Sequence, residues 1–333
     1  MSSEHRDGYD ARAIYNSRYR TSNYQDAYYD TPIPRNVNSI VISALKAADN
    51  IIASGSNRKL RVLDFGCGDG RYRAAAYEIA KRVRTHGIDV ELVAYDVSDG
   101  GLDSFKAKLR EEGFGVNFTR DNLSVSFVLG SVDSSDIEKN KIAIGNVDVS
   151  SAIFGVISHI PGRKNRVNTL RMLKEVTDGD VIITAPGWRI LSKEFQHHKK
   201  LRESGSPYKL ATEPGDLYYK AKGGTENFYH VYWYKHELIG ELAEAGLKGK
   251  VSIAKIGHET TLSYRPRTVG FVDELVSYFA YNYLPEKASE YLAGYYLAKM
   301  HDKEKSVTHV VPGGLAQQYI NDICCLSQIR SHL

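Results

Sequence analysis

The sequence predicts an α/β fold: a mostly parallel, seven-stranded sheet with helices on both faces, preceded by a lid and carrying helical insertions. Three observations predict it. From residue 60 onward, short apolar runs of strand length alternate with segments of helical periodicity. The first run ends in a glycine turn and the second ends in an acid, the punctuation of a βαβ unit. The chain of 333 residues is 42% hydrophobic and 25% charged, a balance that supports one large core with appended segments.

The elements follow in order. Residues 1–57 read as an N-terminal lid and a leading helix. Positions 7–35 are polar and rich in tyrosine (Tyr15, Tyr19, Tyr28 and Tyr29 among them), and Pro32 and Pro34 close the stretch. Residues 38–53 place Ile40, Val41, Ala44, Leu45 and Ala48 on one helical face. The core spans 58–257. Strands are expected at 60–65, 90–95, 125–129, 147–154 and 181–185, with helices at 74–83, 102–109 and 166–176. After Pro186 the rhythm breaks, so 186–227 reads as a lid insertion. A helix at 236–245 and a strand at 250–256 end the core. Residues 258–333 read as a helical addition, with an apolar helical region at 271–299, a last antiparallel strand at 307–311, and a terminal helix.

Composition excludes several classes. No run reaches the roughly 18–20 apolar residues that a membrane helix needs, and residues 1–10 lack the apolar stretch of a signal peptide. Cys67, Cys324 and Cys325 cannot build a disulfide framework, which fits a reducing cytoplasm. No His, Asp or Glu cluster has metal-ligand spacing, so no metal is expected. A net charge of +4, spread along the chain, argues against an obligate nucleic-acid partner. Nothing in the sequence sets the oligomeric state.

The strongest motif is Val62-Leu63-Asp64-Phe65-Gly66-Cys67-Gly68-Asp69-Gly70-Arg71, at the turn from the first strand into a helix. Glycines there let backbone approach a ligand closely, and the carboxyl edge of a parallel sheet is where doubly wound folds bind nucleotides. The dinucleotide pattern G-x-G-x-x-G fails, because Arg71 takes the third glycine's slot, and no P-loop occurs. What stands is D-x-G-x-G-x-G, followed by a second acid, Asp96, at the end of the next strand. A carboxylate in that place can accept hydrogen bonds from both hydroxyls of a ribose.

On these residues the chain resembles the class I, Rossmann-like S-adenosylmethionine (SAM)-dependent methyltransferases, over about residues 58–257. The resemblance implies SAM as cofactor. Asp64, Gly66, Cys67, Gly68 and Gly70 would hold its methionine part, and Asp96 with Val97 its ribose. Gly130, Ser131 and Val132 would flank the adenine, with Asp133 beside its amine. Phe154 would pack against the cofactor.

Methyl transfer from a sulfonium is an in-line displacement, so alignment of the acceptor and exclusion of water do most of the work. A base is needed only for a protonated acceptor. The fourth strand ends Ile153-Phe154-Gly155-Val156-Ile157-Ser158-His159, without the [D/N]-P-P-[Y/F] of base-amine methyltransferases, and no Pro-Cys pair exists. His159 and His230 are the catalytic candidates. His230 lies in the aromatic run Phe228-Tyr229-His230-Val231-Tyr232-Trp233-Tyr234, whose alternation sends one face to packing and the other to a pocket. Tyr15, Tyr19, Tyr229 and Tyr232 are the substrate-side candidates, since tyrosine faces attract cations.

The expectation is therefore methyl transfer to O or N of a small polar metabolite, such as an amino acid or natural-product precursor. One alternative is a tRNA-modifying methyltransferase that holds phosphates with Lys193, His197, His198, Lys199, Lys200 and Arg202. Another is a SAM-binding protein without catalysis.

Overall fold

The computed structural model describes residues 12–13, 15–16, 35–132, 135–187, 216–220, 226–230, 232, 235–256, 293–302 and 310–330. Its strands are β1 (Leu60–Phe65), β2 (Val90–Asp96), β3 (Thr119–Arg120), β4 (Leu123–Leu129), β5 (Val149–Ala152), β6 (Val181–Pro186), β7 (Asp216–Lys220), β8 (Glu226–His230), β9 (Leu247–Ile256) and β10 (Ala293–Asp302). Its α-helices of eight residues or more are α1 (Arg35–Ala53), α2 (Arg73–Val83), α3 (Asp99–Glu111), α4 (Ile137–Ile144), α5 (Arg163–Val176), α6 (Lys235–Glu244) and α7 (Leu315–Arg330).

One sheet runs in the order β3-β4-β2-β1-β5-β6-β10-β9, and β7 pairs with β8 in a separate hairpin. The neighbours β4, β2, β1, β5 and β6 are all parallel. Counted along the chain, those five stand in the order third, second, first, fourth, fifth. The direction of winding therefore reverses between β1 and β5, which opens a crevice at their carboxyl ends. This is the Rossmann-like α/β arrangement.

Alternation along each strand sorts the core into two layers. Leu60 and Val62 of β1, with Val90, Leu92 and Ala94 of β2, are buried against α1, α2, α3 and α7. Leu63 and Phe65, with Val93 and Tyr95, are buried on the opposite face against residues of α5 and α6. Each such Leu, Val or Phe is worth about 1.5–3 kcal/mol when fully buried. Side chains also tie α1 to α7. The Asp49 carboxylate of α1 accepts the first α7 amides, Leu315 N at 2.7 Å and Ala316 N at 3.3 Å, as a helix cap supplied from across the fold.

Three expectations change. The sheet has eight strands instead of seven, because β3 adds a two-residue edge, paired with β4 across an Asp121-Asn122 turn in which Asp121 has φ +52°. Two residues carry no periodicity to read. Second, part of the stretch expected to be irregular is the strand β7, which pairs with β8 from Asp216↔His230 to Lys220↔Glu226. Third, residues 293–302, at the end of the region expected to be helical, form the antiparallel strand β10, while positions 307–309 of the strand expected at 307–311 lie outside the described residues. β10 lies between β6 and β9, antiparallel to both. Ala298 and Met300 are buried in it while Lys299 is not, a period of two imposed by distant partners. Residues 303–309 and 257–292 lie outside the described residues. No helix among the described residues is long and apolar enough to cross a membrane.

Candidate functional site

The crevice at the carboxyl ends of β1, β2, β4 and β5 gathers most of the motif residues. After β1 the chain turns back through Gly66 (φ +77°), Gly68 (φ +55°) and Gly70 (φ +76°), all in the left-handed region. Space is as tight as conformation. A Cβ on Gly66 would sit 2.5 Å from the Val156 side chain, and one on Gly70 would sit 2.2 Å from the Phe105 ring. The turn is fixed by Gly66 N and Cys67 N, which both donate to the Tyr95 carbonyl at 2.8 and 3.0 Å.

Asp64 and Asp96 end the adjacent strands β1 and β2, at positions of the same parity and so on the same face of the sheet. Both are buried, at 4% and 7% exposure. Asp96 braces the turn: Gly68 N donates to its Oδ2 at 2.7 Å and Ser98 N to its Oδ1 at 2.8 Å. Burial pushes its carboxyl up to about 6, against the pull of those amides. Asp64 accepts only a long hydrogen bond from Ser151 Oγ, at 3.4 Å. Burial lifts it to about 7, with the nearby Asp96 charge adding to the rise. Among the described residues neither acid has an ion-pair partner. Asp69, in the same turn, is paired with Lys108 at 2.6 Å. Burial raises the Cys67 thiol well above its ordinary value, which leaves it a packing group of the turn.

The walls come from neighbouring loops. Val97 offers its carbonyl to Arg12 Nε at 3.1 Å, and Asn16 Oδ1 accepts from Ser98 Oγ at 2.6 Å and Gly100 N at 3.0 Å. Arg12 and Asn16 therefore lie on the loop that follows Asp96. On the β4 side, Gly130 N donates to the Asp96 carbonyl at 3.0 Å, and the Tyr95 hydroxyl donates to the Ser131 carbonyl at 2.9 Å. Val132 packs at the edge of the core below. After β5, Phe154 takes φ +65°, a conformation that L side chains avoid and that shortens the expected strand. Its amide donates to Thr184 Oγ1 at 2.5 Å, and the Arg71 guanidinium lies 4.4 Å from the centre of its ring.

His159 ends a single helical turn, Val156–His159, over the crevice. Its Nδ1 lies 3.0 Å from the Phe228 carbonyl of β8. A carbonyl only accepts, so Nδ1 carries the proton, and in the neutral ring Nε2 keeps a lone pair. The Tyr15 ring meets the imidazole edge-on at 5.6 Å.

The aromatic run sorts differently from a substrate wall. Phe228, His230 and Tyr232 share one face, and all three are buried. His230 Nδ1 lies 2.9 Å from Asp216 Oδ1, and the Tyr232 hydroxyl donates to Glu241 Oε2 at 2.7 Å. Tyr232, expected on the substrate side, is thus fully buried and bonded to α6. Tyr229 stands on the opposite face of β8, and its side chain, with Tyr19, Asp133 and the basic stretch 193–202, lies outside the described residues.

Sequence reasoning missed Ser151, Thr184, Asn16, Asp216, Arg166 and Glu241. None stands in a motif. Asp216 had only its pairing distance from His230 as a signal, and Arg166 and Glu241 read as solvated helix positions until packing buries them.

No family model matches the chain, and no curated protein matches it. Among solved structures it is similar to the CcbJ methyltransferase of Streptomyces caelestis, at 13% identity over 83% of this chain and 95% of that one, with a TM-score of 0.41. It is also similar to the magnesium protoporphyrin IX methyltransferase of Synechocystis, at 15% identity over 72% and 90% of the two chains, with a TM-score of 0.39. A SAM-dependent methyltransferase of Clostridium acetobutylicum shares 10% identity over 87% and 96%, with a TM-score of 0.42.

Proposed function

We propose that this chain is a SAM-dependent methyltransferase acting on O or N of a small polar metabolite, such as an amino acid or natural-product precursor. One observation carries the reading: two buried carboxylates, Asp64 and Asp96, flank a left-handed glycine turn, and among the described residues neither has an ion-pair partner. Burying a carboxylate without a partner is costly, and a cationic ligand removes that cost. SAM fits this demand, with an ammonium and a sulfonium for the acids and a ribose whose hydroxyls suit Asp96. Asp64 and the turn at Gly66, Cys67, Gly68 and Gly70 would hold its amino-acid end. Asp96 and Val97 would hold the ribose, and Ser131, Val132 and Phe154 would wall the adenine side.

When bound, SAM supplies an activated methyl group for in-line displacement. The chain's residues align and shield. Tyr15 and Phe154 exclude water around the crevice. His159, with its proton held on Nδ1 by the Phe228 carbonyl, is the group that would take a proton leaving the substrate. His230, bonded to Asp216 and buried, supports this wall from behind instead of meeting substrate.

Calorimetric titration of the full chain with SAM, alongside Asp96→Ala, tests the assignment. Micromolar binding that collapses in the variant supports it. Binding of a nicotinamide or adenine nucleotide in place of SAM overturns it. Incubation of the SAM-bound chain with a metabolite extract then separates an enzyme, which releases S-adenosylhomocysteine, from a protein that only binds. RNA binding that falls steeply with salt would move the acceptor to tRNA.

A further inference from the structure

Beneath His159 lies a set of charges that the cofactor crevice does not use. Arg166 of α5 is 1% exposed, the largest of the fully buried side chains. Its Nη2 lies 2.7 Å from Glu241 Oε1 of α6, and its Nε lies 3.2 Å from both Glu241 oxygens. Its Nη1 reaches 4.0 Å from Asp216 Oδ1 of β7. Asp216 pairs in turn with His230 of β8, and Tyr232, two residues beyond that strand, bonds Glu241. The set therefore joins α5, α6, β7 and β8.

Its location gives it a consequence. Phe228 and His230 are two residues apart on the same face of β8, so the cluster that grips His230 also fixes where the Phe228 carbonyl points. That carbonyl is the acceptor for His159 Nδ1. Buried ionic sets are poor sources of stability, since desolvation offsets most of their attraction, and their best-attested use is to specify one arrangement.

We propose that Arg166, Glu241, Asp216 and Tyr232 are positioning residues that hold the β7–β8 hairpin in the register that keeps the His159 proton on Nδ1. The geometry stands without SAM, while its catalytic meaning rests on the methyltransferase reading above.

The test is the tautomer of His159, read by long-range proton–nitrogen correlation NMR on the full chain, with His159→Gln used for assignment. In the parent protein, Nδ1 shows the signature of a protonated ring nitrogen and Nε2 that of an unprotonated one. Glu241→Gln and, as the milder change, Tyr232→Phe convert this to an exchanging mixture with the Nε2–H form while SAM affinity stays within about twofold, as expected for sites without shared partners. Tyr232→Phe removes one hydroxyl and no charge, so it reports even where Glu241→Gln fails to fold. A His159 that keeps the pure Nδ1–H form in the folded Tyr232→Phe protein overturns the proposal, as does a parent protein in the Nε2–H form. The tautomer shift without any SAM binding leaves the clamp standing and removes the methyltransferase reading. SAM binding without the shift does the reverse.

Discussion

Two groups of buried acids sit on either side of the β1–β5 switch, and they are treated in opposite ways. Asp216 and Glu241 share Arg166, His230 and the Tyr232 hydroxyl, so their charge is answered from within the chain. Among the described residues, Asp64 and Asp96 have hydrogen bonds and no ion-pair partner. Charge answered internally suits scaffolding, and the charge of Asp64 and Asp96 is what motivates the proposed ligand site.

The contrast can be broken most forcefully from the scaffold side. Glu241→Ala takes from the buried Arg166 the carboxylate it bonds at 2.7 Å, so the expected loss is about 3–5 kcal/mol of unfolding free energy in urea. A loss below about 1 kcal/mol would show that the cluster relaxes like a surface pair. On the ligand side, Asp96→Ala is expected to weaken SAM about a hundredfold, on the order of 3 kcal/mol, because two charged hydrogen bonds to the ribose disappear. Retention of parent affinity would remove Asp96 from the cofactor site.

Titration sharpens the same contrast. The folded carboxyls stand at about 6 for Asp96 and about 7 for Asp64, against 3.8 ordinarily. Both are raised, so the folded state binds their protons more tightly than the unfolded chain does. Their stabilising contribution is full below about pH 4 and is lost as pH rises through about 6 and then about 7. The melting temperature of the SAM-free protein should therefore carry a falling component across that window. Saturating SAM should flatten it, and Asp64→Asn should remove its upper part. A parent and an Asp64→Asn protein with superimposable pH profiles would contradict this.

Smaller effects remain. Gly66→Ala forces a side chain into φ +77° against Val156, which costs about 1–2 kcal/mol by calorimetric melting from the conformation alone. Asn16→Ala removes two hydrogen bonds to the loop after β2. It should weaken SAM by about fivefold, roughly 1 kcal/mol. No change there would detach the N-terminal segment from the site.

How much of this was legible beforehand follows the range of the interactions. Asp64, the three glycines and Asp96 stand within a single βαβ unit, where local turn chemistry and strand periodicity speak directly, and the turn is where the motif put it. His159 was readable only as a histidine after a fourth strand; the proton on Nδ1 depends on a carbonyl contributed from Phe228. Arg166 and Glu241 carry charges that mark solvent in any one-dimensional pattern, and only the packing of α5 on α6 reverses that. The strand β10 escaped for the same reason. Residues 293–302 mix tyrosine, leucine, alanine and lysine, which suit a helix until β6 and β9 supply their hydrogen bonds.

That strand also sets a schedule for the ribosome. β6 and β9 are synthesised well before their shared neighbour, so the growing chain holds β6 as an open edge and β9 without its sheet partner until Ala293–Asp302 emerges. Exposed edges recruit other strands, and domains form as units during synthesis. The parallel half can settle early, but closure of the sheet waits for β10 to be made. A chain cut short before residue 293 would leave both strands as templates for aggregation, which makes the emergence of β10 the moment at which those edges are paired.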